Sequence, residues 1–448
     1  MTLNSQIART KGDAAGLEQL YRQALVTGNE AAFREAIEQC AGEHPEDILF
    51  SAWTYRLDVQ SPSAGVGPEG QTVNQSQTRR WWTAVAASVV LGVVSALFAR
   101  GKPPIPIPGE ADPLFWIGWG PLTALGILFY LAMVDRSGKR IYRYVGMAVA
   151  VIPIAVYTAV TAWSRADDIA ILSALHLPFV ALAAIGAALT MVHPDPARQC
   201  YAFLVKSVET VLTGGIYFAA GAMFVGLTYG IFAVLGINLP EEYLQTTLAW
   251  GIGAIPVLAL ASVYDPTAAP VAQDWTTGLT RLLRILTQLI LPLALGVLVV
   301  YDFWFVPAYF WRAFQEREVL IVYNATILAI LVLLTVVVSG PVQERSPRQD
   351  TILRYAVLAL GGLTLFLNIY ALSAIASRIY EFGLTPNRYA AFGWNIVTLV
   401  MLAVVGIRLW RGRLDSWVYI FRESVARVSV LAVAWALWAI ISLPLSFG

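Results

Sequence analysis

Residues 319–339 read VLIVYNATILAILVLLTVVVS, an unbroken run without a charged side chain. At 1.5 Å rise per residue such a run crosses the ~30 Å hydrocarbon core of a bilayer. Lipid offers the backbone no hydrogen-bond partner, so the run must be a helix that satisfies itself. Similar blocks recur along a chain of 448 residues that is 58% hydrophobic and 13% charged. The blocks predict spans at 81–98, 114–134, 144–163, 169–192, 208–235, 243–264, 279–301, 319–339, 352–375, 389–407 and 425–443. The expected fold is all-α, a polytopic transmembrane bundle of about 11 spans. Short amphipathic stretches at 201–206 and 414–424 are expected to lie in the membrane interface.

The N-terminal residues are of another kind. Before Thr78 there are five Lys/Arg against ten Asp/Glu, the composition of a small soluble, acidic region. Leu17, Leu20, Tyr21, Ala24 and Leu25 repeat at helical spacing, and Phe33, Ala36, Ile37 and Cys40 do so after the turn at Gly28 and Asn29. Pro45 suits the first turn of a third helix carrying Ile48, Leu49, Ala52 and Trp53. Residues 1–58 therefore read as a soluble helical region resembling one degenerate tetratricopeptide-type unit, which would need a neighbour to bury its apolar face. Residues 59–78, rich in Gly, Ser, Pro and Gln, read as a flexible linker, and 79–448 as the bundle.

A net charge of +1 gives no reason to expect nucleic acid as a partner. Cys40 and Cys200 lack metal-ligand spacing, and His44, His176 and His193 do not pair as haem ligands would, so no cofactor and no metal are expected. Basic residues near the spans fall sixteen on one side and seven on the other, which predicts a cytoplasmic N-terminus and, with an odd number of spans, an external C-terminus. Both cysteines then face the reducing side.

Several constellations stand out. Pro153, Pro178, Pro256 and Pro292 lie near the middle of spans, and each withholds an N–H from a carbonyl one turn earlier. His176 is placed well inside a span with Ser173 and Pro178 nearby, a candidate intramembrane polar site or a neutral ring bonded to a neighbouring helix. Gly214, Gly215, Gly221, Gly226 and Gly230 suit close helix packing. Lys206 with Glu209, and Arg281 with Arg284, form candidate charges at the cytoplasmic interface, for a lipid headgroup or an inter-helix network. Asn324, Asn368 and Asn395 add polar groups within spans.

The most specific segment is Arg378-Ile-Tyr-Glu-Phe-Gly-Leu-Thr-Pro-Asn-Arg-Tyr389. Gly383 can end a helix at positive φ, Thr385 or Asn387 can cap the next one, and Pro386 fits its first turn. A Glu381 carboxylate held between Arg378 and Arg388 would clamp the turn, or leave one arginine free for an anion. Tyr370 in the long apolar span before this run, and Trp394 in the one after it, complete the pattern. With them the run resembles the signature of a bacterial membrane-protein family catalogued as domain-of-unknown-function family 4153. The resemblance implies a multi-pass protein of the bacterial cytoplasmic membrane and supplies no catalytic residues.

Three functions compete. A membrane scaffold or partner-binding protein is expected first, with membrane lipids around it and a protein partner at the N-terminal helices. A transporter or channel for a small polar solute or ion draws on the prolines, His176 and the asparagines. A membrane enzyme acting on a lipid-linked substrate finds no paired acids, nucleotide loop or nucleophile in this sequence to support it.

Overall fold

The computed structural model describes residues 3–8, 10–27, 29–44, 47–60, 68–99, 113–135, 140–163, 167–237, 239–275, 278–339 and 346–447. Gly28 and Pro45, and the basic residues Arg100, Lys102, Arg136, Lys139, Arg165 and Arg345, lie outside them. Two compact units result, Met1–Arg79 and Arg80–Gly448. Every regular element among the described residues is helical.

The first unit holds α1 (Leu3–Ala8), α2 (Ala14–Thr27), α3 (Glu30–Glu43) and α4 (Ile48–Gln60). Contrary to the expectation that one repeat cannot close on itself, these helices build their own core. Ile7, Leu17, Phe33, Ile37 and Phe50 are fully buried, and the rings of Tyr21, Phe33 and Trp53 meet edge-on or tilted at 5.4–5.8 Å. The buried face of α4 is Phe50, Trp53 and Leu57; of the expected Ile48, Leu49, Ala52 and Trp53, Trp53 is buried and Leu49 packs against the core, while Ala52 and Ile48 are exposed, Ile48 to 83%. The aromatic face wins because its rings bury more apolar area against Tyr21 and Phe33. Burial raises the Cys40 thiol above its usual range. Of the expected linker, residues 61–67 are not among those described, and from Pro68 the backbone is already helical.

The membrane unit contains eleven helices long and apolar enough to span a bilayer among the described residues. These are α5 (Pro68–Ala99), α6 (Pro113–Val134), α7 (Ile141–Trp163), α8 (Asp167–Thr190), α9 (Pro196–Val234), α10 (Glu241–Val263), α11 (Gly278–Val300) continued by a π-helical turn (Tyr301–Phe305) and α12 (Val306–Ala308), then, after the short α13 (Arg312–Gln315), α14 (Arg317–Val337), α15 (Pro347–Phe382), α16 (Pro386–Arg411) and α17 (Trp417–Phe447). The protein is an integral membrane protein of the all-α, multi-pass kind.

Two apolar cores organise the bundle. One draws on α5, α6, α8 and α10, with Ala84, Leu128, Ile185 and Val257. The other draws on α11, α14, α15, α16 and α17, with Leu298, Ile327, Leu360, Leu402 and Phe421. The start of α9 and the length of α17 join them. Gly393 of α16 is where two helices approach most demandingly, since a Cβ there would lie 1.9 Å from the Trp435 ring of α17.

Three expectations need correction. Residues 201–206 are not a separate short helix leading into the span but the buried beginning of a continuous α9. Residues 414–424 are likewise folded into the bundle, with Trp417, Phe421 and Ser424 buried at the start of α17. Both segments carry enough aromatic and aliphatic surface to be worth more inside the bundle than along its rim. Finally, Gly215, Gly221, Gly226 and Gly230 face open space, and a Cβ at each would meet no other helix within 4 Å among the described residues. The four mid-span prolines sit within continuous helices, α7, α8, α10 and α11, rather than at breaks.

Candidate functional site

The signature segment is a joint. Helix α15 ends at Gly383, which takes φ +77°, and Thr385 caps α16 by accepting from the Arg388 N–H, with Pro386 as first helical residue. The orphan carbonyls at the end of α15 are met by Arg388, whose guanidinium donates to Phe382 O at 3.0 Å and Gly383 O at 2.7 Å. Arg378 donates to Gln315 O at the end of α13. Glu381 receives the Ser377 hydroxyl at 3.3 Å and forms no ion pair with either arginine. The expected carboxylate clamp is therefore absent, because helix-end carbonyls claim both guanidiniums. Tyr389 binds the next helix, accepting from Trp438 Nε1 at 2.7 Å and meeting the Ser442 hydroxyl at 3.1 Å. Asn387 is half-buried beside this cap without a hydrogen bond of its own.

The same use of arginine recurs. Arg80 donates to Ala261 O and Tyr264 O at the end of α10, Arg354 to Leu409 O and Gly412 O at the end of α16, and Arg422 to Val338 O at the end of α14. A cation at a helix C-terminus is favoured by both the unpaired carbonyls and the macrodipole. Arg80 and Arg354, which sequence alone counts as part of a topology code, thus also fasten neighbouring helices.

His176 is 2% exposed. Its Nδ1 lies 2.6 Å from Leu172 O, and its Nε2 lies 2.9 Å from the indole nitrogen of Trp394. A carbonyl can only accept and an indole N–H can only donate, so the ring is the neutral tautomer with its proton on Nδ1. Both nitrogens are committed, and no lone pair is left for a metal. Ser173 is buried nearby, but its hydroxyl has no bond to the ring. Pro178 continues α8 and packs its backbone against Gly120, whose Cβ position lies 3.2 Å from the proline nitrogen.

Beside Trp394 begins a polar chain across three helices. Asn395 donates to Asn324 Oδ1 at 2.7 Å and to Ala391 O at 2.8 Å. Asn368 donates to Thr398 Oγ1 at 2.7 Å and to Asn395 Oδ1 at 3.3 Å. Thr398 passes its own proton to Trp394 O. The asparagines thus tie α14, α15 and α16 together, and Trp394 adds α8.

Lys206 and Glu209 are also placed together, at 2.9 Å, with each side chain 4% exposed. The ammonium also donates to Asp274 O at 2.8 Å and lies 5.0 Å from the centre of the Trp275 ring. The pair is buried between α9 and the segment before α11, as an inter-helix charge network would be. Arg281 and Arg284 are in α11, and their side chains lie outside the described set.

One residue was missed by sequence reasoning. Asp302 is 2% exposed, and neither carboxylate oxygen has a hydrogen-bond partner. It belongs to the π-helical turn, where the Val306 N–H reaches back to Tyr301 O. Pro307 explains the widening, since its ring clashes with a carbonyl one α-turn earlier and it has no N–H to offer. The turn packs against α14 and α15 through Tyr301, Tyr323 and Tyr370, whose rings meet at 5.7–5.8 Å. An apolar groove of about 280 Å³, lined by Gly296, Val297, Val300, Tyr301 and Phe305, opens beside it. The predicted span stopped at Tyr301. The signal that could have found the residue is the apolar run Phe303–Val306 resuming after a single acid.

No protein-family model, no curated protein and no solved structure matches this chain.

Proposed function

We propose that the protein is a membrane scaffold that displays a protein-binding module, its N-terminal helices, from a rigid multi-pass bundle. The observation that carries this reading is the core that the first unit builds from its own helices. Much of the bundle's polar inventory supports it: His176, the amide nitrogens of Asn368 and Asn395, Lys206 with Glu209, and the Arg388 guanidinium are spent on protein partners, although Asn368 Oδ1 is left open. In this reading the protein resides in a bacterial cytoplasmic membrane as a member of domain-of-unknown-function family 4153, with the N-terminus cytoplasmic and the C-terminus external. The alternative, transport of a small polar solute or ion, is favoured by one observation, the unpartnered Asp302.

The test is a photo-crosslinking side chain at position 48, where Ile48 is exposed, in the full-length protein in native membranes. A discrete protein adduct is expected, together with an unchanged melting temperature for the bundle when residues 1–60 are removed. Adducts to lipid alone, or a large loss of bundle stability on removal, would overturn the reading.

A further inference from the structure

We infer that Asp302 is a proton-binding site, held as the neutral acid in the π-helical turn and able to lose its proton only if that turn rearranges. The inference goes beyond the scaffold reading and does not depend on it. Four observations carry it.

The carboxyl is buried to 2% exposure within the helix Ile285–Ala308, which is long and apolar enough to cross a membrane. It lies six residues from the end of the span Ile285–Ala308, about 9 Å along the axis at helical rise. No donor and no cation reaches either oxygen. A bare carboxylate in such surroundings is among the most expensive arrangements a protein can make, and the group avoids it by taking up a proton.

The groups around the turn are of the right kind. The titratable side chains seen to meet the turn are the phenols of Tyr301 on the turn itself, Tyr323 on α14 and, behind it, Tyr370 on α15, which already donates to Phe310 O. The charged residues of α14 and α15 lie toward the helix ends, at Arg317 and Glu318, at Arg348, Asp350 and Arg354, and at Arg378 and Glu381. The next basic residue along the chain, Arg312, lies over the Tyr309 ring, and Arg378 is bound to Gln315 O. No charged side chain acts on the Asp302 carboxyl.

The backbone supplies a means of response. Pro307 withholds the donor that the carbonyl of Asp302 or Phe303 would otherwise meet, so the turn is not locked by a complete ladder. The adjoining groove gives it room to move. Ionisation would create a charge with nothing to neutralise it. The turn would then have to admit water or swing the carboxylate out, coupling proton release to a change of shape at the junction of α11, α14 and α15.

The experiment uses the full-length protein in lipid nanodiscs without added partner. Infrared spectroscopy at neutral pH is expected to show the carbonyl stretch of a protonated carboxyl in a non-polar setting. It should be absent in Asp302→Asn and disappear from the wild type in strong alkali. A second reading is thermal stability against pH. A carboxyl that is neutral in the folded state and ionised in the unfolded state makes stability fall as pH rises, and Asp302→Asn should flatten that slope without lowering the melting temperature at neutral pH. If no such band is present at neutral pH, or if sodium or potassium chloride removes it at constant pH, the site holds a metal cation or an ionised acid and the inference fails. An unchanged pH slope in Asp302→Asn would also overturn it.

Discussion

The polar layer around Asn395 and His176 and the turn around Asp302 are both polar groups set in apolar helices, yet they are built on opposite terms. In the first, the amide and ring nitrogens find partners on other helices, and α8, α14, α15 and α16 are tied across the membrane unit. In the second, a stronger acceptor finds nothing. Polar residues within spans are therefore not one class. Where bonds close, the residue serves packing specificity. Where they stay open, the residue is costly to the fold and is a candidate for function.

The comparison is broken most severely at the buried ion pair, which belongs with the closed layer. Glu209→Gln removes the carboxylate that lies 2.9 Å from the Lys206 ammonium, and removing one partner of a buried pair costs about 3–5 kcal/mol. Replacing both, Lys206→Met with Glu209→Leu, is expected to restore most of that stability, because the penalty lies in breaking the buried pair on one side only. Melting of the single and double variants in detergent checks this. If the double variant is as damaged as the single one, the pair has a role that packing does not supply. Next in size is Asn395→Leu, which removes the donor of Asn324 and the acceptor of Asn368. Inter-helix bonds in lipid are worth roughly 0.6–2 kcal/mol, so a loss of about 1 kcal/mol is expected by the same measurement. No loss would place Asn395 with Asp302, on the open side of the comparison.

Much of this was legible beforehand. The eleven spans follow from length and hydropathy alone, because the bilayer imposes both. The turn at Gly383, Thr385 and Pro386 follows from backbone chemistry that is local to those residues. What was not legible depends on partners far along the chain. His176 meets Trp394 across 218 residues, and Arg80 meets Tyr264 across 184. No periodicity encodes such a meeting. Asp302 was hidden differently: a lone acid near a span end reads as the start of a loop, and only the π turn forced by Pro307 draws it inside. The N-terminal core was half legible, its helices clear but the face of α4 set by aromatic partners on α2 and α3.

The smallest effects belong to the signature turn, and their order sharpens the distinction between closed and open polar groups. Glu381 is exposed and touches only the Ser377 hydroxyl, so Glu381→Gln is expected to change stability by less than about 0.5 kcal/mol. Arg388 closes two carbonyls at the end of α15 with charge-assisted bonds. Arg388→Gln should cost more, about 1 kcal/mol, with part of the loss masked because water can reach a half-buried helix end. Arg388→Lys is the decisive variant. An ammonium keeps the charge near the helix C-terminus but has no fork to span Phe382 O and Gly383 O together, so it should recover less than half of the loss. Full recovery would mean that charge alone holds the joint, and a larger loss for Glu381→Gln than for Arg388→Gln would restore the carboxylate clamp that the geometry denies.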